Sequence, residues 1–151
     1  MANKKLSNDK FDSEDEHFFV MKGRRWRKTD PNIPEGLASE LVKALMSARR
    51  DVKKAKASED ASLIRLVRSR VQNAKVALGE RGHPWWEAQT ADTRQIRLEA
   101  AFRSLSSIRQ SDSPDSAVSP ADLAKIIGGE DWADYVEEAK AVAAAMERNS
   151  I

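Results

Sequence analysis

EGLASELVKALMSARRDVKKAK (residues 35–56), followed after a short break by ASLIRLVRSRVQNAKVALG (residues 61–79), sets the architecture of this chain. In the first stretch Leu37, Leu41, Leu45, Ala48, Val52 and Ala55 recur at spacings of three and four, along one side of an α-helix. In the second, Ile64, Val67, Val71, Ala74 and Leu78 do the same, and Gly79 follows where helices commonly end in a left-handed residue. Ser58-Glu59-Asp60 supplies the polar side chains that start a helix. Two amphipathic helices with so short a connection predict an antiparallel αα-hairpin with facing apolar seams.

Upstream, Asp30-Pro31-Asn32-Ile33-Pro34-Glu35 reads as the approach to the first helix, since proline suits a first turn and an acid is favoured there. Before it, Phe18-Phe19-Val20-Met21 and Arg24-Arg25-Trp26-Arg27 flank Lys22-Gly23, where glycine supplies the positive φ of a two-residue hairpin turn. That turn pairs Phe19 with Trp26 and puts Met21 and Arg24 on their face. Phe18, Val20, Arg25 and Arg27 fall on the other. A lone hairpin is marginal in water, so one face must pack on helices. Residues 1–16 are polar and read as a disordered tail.

Downstream, Gly79 to Pro84 reads as a loop leading into Trp85-Trp86, and Thr90 opens a third helix with Leu98, Phe102, Leu105 and Ile108 as its buried edge. Ser111 to Ser116 is a flexible connection. Ser119-Pro120-Ala121-Asp122 combines a capping serine, a proline at the first helical position and an acid three residues after the cap. The short helix that follows carries Leu123, Ile126 and Ile127 and stops at Gly128-Gly129. A last helix is expected over about residues 131–148, burying Trp132, Val136, Ala139, Ala143 and Met146. The domain reading is a tail (1–16), a β-hairpin plus αα-hairpin (17–88) and a three-helix unit (89–151), with Trp85 and Trp86 wedging the last two together.

Several chemistries find no support. The 151 residues include no cysteine, which excludes disulfides and Cys-based zinc or iron–sulfur sites. The two histidines, His17 and His83, stand far apart and form no metal-spaced pair, so no metal is expected. Gly79-Glu80-Arg81-Gly82 lacks the length and the Lys-Ser/Thr of a phosphate-binding loop, and no nucleophile motif occurs. Asp131/Asp134 and Glu137/Glu138 read as a solvated helix face. The expectation is a non-enzymatic protein without catalytic residues or cofactor. No apolar stretch approaches the ~20 residues of a membrane span, and the N-terminus lacks the apolar core of a secretory signal. A cytoplasmic location with no membrane partner is the corresponding expectation.

The net charge of +2 hides an uneven layout. Residues 22–81 carry 16 lysines or arginines against 7 acids, a net +9, whereas residues 82–151 carry a net −5. Basic clustering of this kind points to a polyanion such as the backbone of DNA or RNA. Trp26 among Arg24, Arg25, Arg27 and Lys28 is the aromatic-in-basic pattern that nucleic-acid binders use. Lys43, Arg50 and Lys54 share one side of the first helix, with Lys53 adjacent. These nine residues are the candidate nucleic-acid surface. The plainer reading is a solvated face that pairs with the acidic last third, with Trp26 as a packing anchor. The alternative function is a protein–protein adaptor or scaffold using the acidic C-terminal helices and the apolar face around Tyr135.

Two resemblances add to this. Gly23-Arg24-Arg25-Trp26-Arg27-Lys28-Thr29-Asp30-Pro31, Ile33-Pro34-Glu35, Leu45-Met46 with Ala48-Arg49-Arg50, and Ala74 to Gly82 with Pro84-Trp85-Trp86-Glu87 resemble a bacterial, chiefly actinobacterial, family. Some of its members carry the label biopolymer transporter Tol. Tol-type transport components need a membrane anchor, which this sequence does not supply. Val118 to Ala124 with Gly128-Gly129-Glu130-Asp131-Trp132 is similar to a bacterial winged-helix-like domain of unknown function. That similarity implies a helix-turn-helix across residues 93–148. The helix in its recognition position carries Asp131, Asp134, Glu137 and Glu138, which repel phosphate, so the unit reads as a packing or docking module. The fold class is therefore mainly α: a short N-terminal β-hairpin, an αα-hairpin, then a helix-turn-helix-like unit lacking a full wing.

Overall fold

The computed structural model describes residues 16–149; the expected tail, apart from Glu16, lies outside them. Strands β1 (Phe18–Met21) and β2 (Arg24–Arg27) pair antiparallel in the predicted register, Phe19 opposite Trp26 and Met21 opposite Arg24. Both turn residues are left-handed, Lys22 at φ 54° and Gly23 at φ 76°, the type I′ geometry whose twist matches that of the strands.

Helix α1 (Glu35–Ser58) follows Pro34, and α2 (Ala61–Ala77) begins where the Asp60 carboxylate accepts from the amides of Ser62 and Leu63. The predicted seams are buried at Leu37, Leu41, Leu45, Ala48, Ala55, Val67, Ala74 and Leu78. Helix α2 ends in a full Schellman motif. The amide of Glu80 donates to the carbonyl of Lys75 at 2.9 Å, and that of Gly79 donates to Val76 at 3.1 Å. Gly79 sits at φ 81°, and a Cβ there would lie 3.0 Å from Trp85 Cδ1 and 3.1 Å from Asp30 Cβ. Only glycine fits both the angle and the space.

Helix α3 (Ala91–Asp112) starts with a capping box between Thr90 and Thr93, and α4 (Pro120–Gly128) with one between Ser119 and Asp122. The last helix departs from expectation. Residues 129–135 form a 3-10 segment, with Asp131 at non-helical angles, and α5 runs only over Val136–Asn149. Gly129, at φ 56° and ψ −122°, breaks the path of α4, and the Tyr135 ring packs back on Gly128, where a Cβ would lie 2.6 Å from Cδ2. Helices α4 and α5 pack on each other and on α3, with the 3-10 segment as their turn.

One continuous apolar cluster runs from Ile33 to Ala143, with Leu41, Leu78, Leu98, Leu105, Leu123 and Ile126 fully enclosed. Each such side chain stabilises the fold by about 1.5–3 kcal/mol through burial. Ion pairs stitch the helices at its edge. Arg109 of α3 holds Glu40 of α1 through two bonds of 2.8 Å and Asp122 of α4 through a third of 2.8 Å. Arg94 of α3 grips Glu138 of α5 at 2.8 and 3.0 Å. Among the described residues no helix is long and apolar enough to cross a membrane.

Candidate nucleic-acid interface

The hairpin is seated on the loop that follows α2. Arg27 Nη1 donates to the carbonyls of Gly82 at 2.9 Å and Gly79 at 3.5 Å. Trp85 Nε1 donates to the Lys28 carbonyl at 3.1 Å, and Thr29 Oγ1 to Glu80 at 2.6 Å. His17 stacks on Trp86 with ring centres 4.1 Å apart, and Phe18 meets the same indole edge-on at 5.6 Å. The two tryptophans act differently. Trp86 holds the hairpin, while Trp85 reaches from the hairpin backbone to a cleft beside α3. Arg27, half-buried and committed to these carbonyls and to the face of Trp86 at 5.4 Å, is a clamp for the hairpin.

This seat brings a set of cations together. The guanidinium of Arg24 lies 5.0 Å from the centre of the Trp26 ring, and the ammonium of Lys75, from α2, lies 4.9 Å from the same centre. The indole is thus a hub for two positive charges, each cation–π contact contributing roughly 0.5–2 kcal/mol. Arg25 covers the Phe18 ring at 4.2 Å. Lys75 is buried. Burial holds its ammonium below the ordinary lysine pKa. The positive charges of Arg81, Arg49 and Arg24 act in the same direction, while Glu80 opposes them. Arg49, Lys75 and Arg81 therefore belong with Arg24, although the sequence reading missed all three.

The remaining candidates divide. Lys43 and Arg50 line a separate groove with Met46 of α1 and with Ile108 and Asp112 of α3, where a carboxylate is already present. Lys53 stands one turn beyond Arg49, and Lys54 follows the side of Lys43 and Arg50. Lys28 is exposed beside the hairpin. Among the described residues, no ion pair joins Arg24, Lys28, Lys43, Arg50, Lys53 or Lys54 to a carboxylate. The acidic C-terminal helices are engaged elsewhere, Glu138 with Arg94 and Glu137 with Lys140. Tyr135 packs on Gly128 and beneath Arg94, 5.5 Å from the guanidinium, so its ring is part of the fold's interior contacts.

Among the described residues no cluster of three or more His, Asp or Glu side chains is placed to hold a metal ion. Chemically, the Trp26 cluster offers positive charge around an indole whose N–H is engaged by the Met21 carbonyl at 3.4 Å, with Arg81 also donating to Gln72 and Glu80 acting as an opposing charge. No protein-family model, curated protein sequence or solved structure matches the chain.

Proposed function

We propose that this protein is a non-enzymatic, cytoplasmic binder of nucleic-acid backbone, acting through Arg24, Arg49, Lys75 and Arg81 around Trp26, with Arg25, Lys28 and Lys53 at the margin. One observation carries the reading: two cations from distant parts of the chain, Arg24 and Lys75, converge on one indole, and the charges of Arg49 and Arg81 act on the same ammonium. Gathering like charges costs free energy, and a phosphate chain laid across them relieves it while releasing counterions. Such contacts position a strand without reading its sequence.

Titration of a labelled oligonucleotide at several salt concentrations tests this. With three phosphate contacts, from the exposed Arg24, Arg49 and Arg81, log K falls against log salt with a slope of about −2 to −3. Arg24→Glu and Arg49→Glu each flatten that slope by about one unit or more. Lys43→Glu and Arg50→Glu, on the separate groove, leave it nearly unchanged. A flat dependence in the unaltered protein refutes the proposal.

A further inference from the structure

A cleft of about 120 Å³ opens between the loop after α2 and the start of α3. Val76, Trp85 and Ile96 form its apolar walls, and Arg81, Gln89 and Arg97 its polar ones. Its volume is close to that of the ~150 Å³ cavities that accept a single benzene ring. Ile96 is 60% exposed at the mouth, so the apolar wall extends to solvent.

The polar atoms have unmet capacity. Gln89 Oε1 is buried without a hydrogen-bond partner among the described residues, a state that costs roughly 1–3 kcal/mol unless something supplies a donor. Arg97 is buried. Its Nε and Nη2 are used by the Ala77 carbonyl at 3.1 Å and by Asp30 at 2.9 Å, and Nη1 has no such bond among the described residues. A ring entering this cleft therefore meets an acceptor and a guanidinium donor within one apolar slot. Arg81 belongs both to this wall and to the cation cluster around Lys75.

We infer that this cleft takes one unpaired base of a single-stranded nucleic acid whose phosphates lie on the Trp26 cluster; the inference rests on the backbone-binding reading above. A base is a flat ring whose leading edge fits the slot while the rest of it stays at the open mouth beside Ile96, and that edge carries carbonyl acceptors and N–H donors. Those match the guanidinium of Arg97 and the carbonyl of Gln89. An apolar side chain bearing a carboxylate would suit the two arginines but would set an anion against the Gln89 oxygen. A paired base, held in its stack, does not reach the slot. Arg81 ties the two parts into one track, so the base enters where the backbone already passes.

The test compares, by fluorescence anisotropy, a labelled single-stranded oligonucleotide, an abasic strand of equal length and a duplex, each competed with inorganic polyphosphate. The natural strand binds about tenfold more tightly than the abasic strand, the scale of one stacked base, and more tightly than the duplex. Ile96→Ala removes the apolar wall at the mouth without changing charge, at an exposed position. It brings the two strands to equal affinity and leaves polyphosphate competition unaltered. Gln89→Leu lowers the preference without abolishing backbone binding. Equal affinity of both strands for the unaltered protein, with polyphosphate still competing, overturns the slot and spares the backbone reading. Failure of every polyanion to bind in a salt-dependent way removes both.

Discussion

Replacing Arg97 with methionine leaves the Asp30 carboxylate buried without its cation, and the structure allows the consequence to be sized. Asp30 Oδ2 accepts from Arg97 Nη2 at 2.9 Å, Oδ1 accepts from the Asn32 amide at 2.9 Å, and the Asp30 amide donates to the Leu78 carbonyl at 2.9 Å. Both side chains are under a tenth exposed. Burial pushes the Arg97 guanidinium below its ordinary pKa, and only the charge and hydrogen bond of Asp30 pull it back. Breaking such a pair from one side costs about 3–5 kcal/mol, because the orphaned charge cannot return to water. That is a fifth or more of the roughly 5–15 kcal/mol that holds a domain folded. In urea unfolding followed by tryptophan fluorescence, Arg97→Met therefore lowers the midpoint sharply with little change of slope. The melting temperature falls by roughly 10 °C. The double variant Asp30→Asn with Arg97→Met keeps the acceptor for the Asn32 amide and removes both charges, so it recovers most of the loss. A single variant within about 1 kcal/mol of the unaltered protein, or a double variant no better than the single, refutes the reasoning.

Other outcomes follow from the same geometry. Gly79→Ala forces a side chain into a left-handed residue packed on Trp85 and Asp30; a loss of about 2 kcal/mol or more is expected in thermal unfolding. Lys75→Met keeps the apolar stem against Trp26 and removes the repelled ammonium. Stability is maintained or raised while oligonucleotide affinity falls, so equal loss of both would contradict the assignment. Because the folded pKa of Lys75 lies below its unfolded value, its penalty is fully present at low pH and is relieved as pH rises through the folded pKa towards the ordinary lysine range. A pH series of melts on the unaltered and Lys75→Met proteins isolates that difference. For Asp122, burial acts upward, but the hydrogen bond from Arg109, the bonds at Ser119 and the Arg109 charge bring its carboxyl below the usual value. Its contribution is present above the unfolded carboxylate pKa and is lost as pH falls through the folded one. Arg109→Met weakens the protein at neutral pH and reduces this acid-side loss, as melts between neutral and acid pH would show.

Most of the architecture was legible because helix signals are local. Asp60, Thr90 and Ser119 cap the helices they were expected to cap, Gly79 ends α2, and the hairpin register follows from one glycine turn. The misses are long-range. Lys75 and Arg97 each read as one more charge on an amphipathic helix. Their burial depends on Trp26 and Asp30, which the chain brings close only after α1 and α2 have folded back. Arg49 lies about 100° around α1 from Arg50, off the stripe of Lys43, Arg50 and Lys54, so that stripe does not point to it. Spacing locates the apolar seam that faces α2, but it does not place the hairpin and the loop after α2 beside Arg49. The 3-10 segment is a related case: it brings the Tyr135 ring back onto Gly128, a contact between residues seven apart that no helix start or stop signal announces.

The positive patch is composite, with Arg24 from a strand, Arg49 and Lys75 from two helices and Arg81 from a loop. Denaturation disperses these side chains along a coil, and the dense focus of charge vanishes. A polyanion gripping that focus therefore draws the population towards the native ensemble by mass action, as RT ln(1 + [L]/Kd). On the proposed reading, binding and cohesion are thermodynamically linked: a polyanion on the patch also favours the hairpin that completes it.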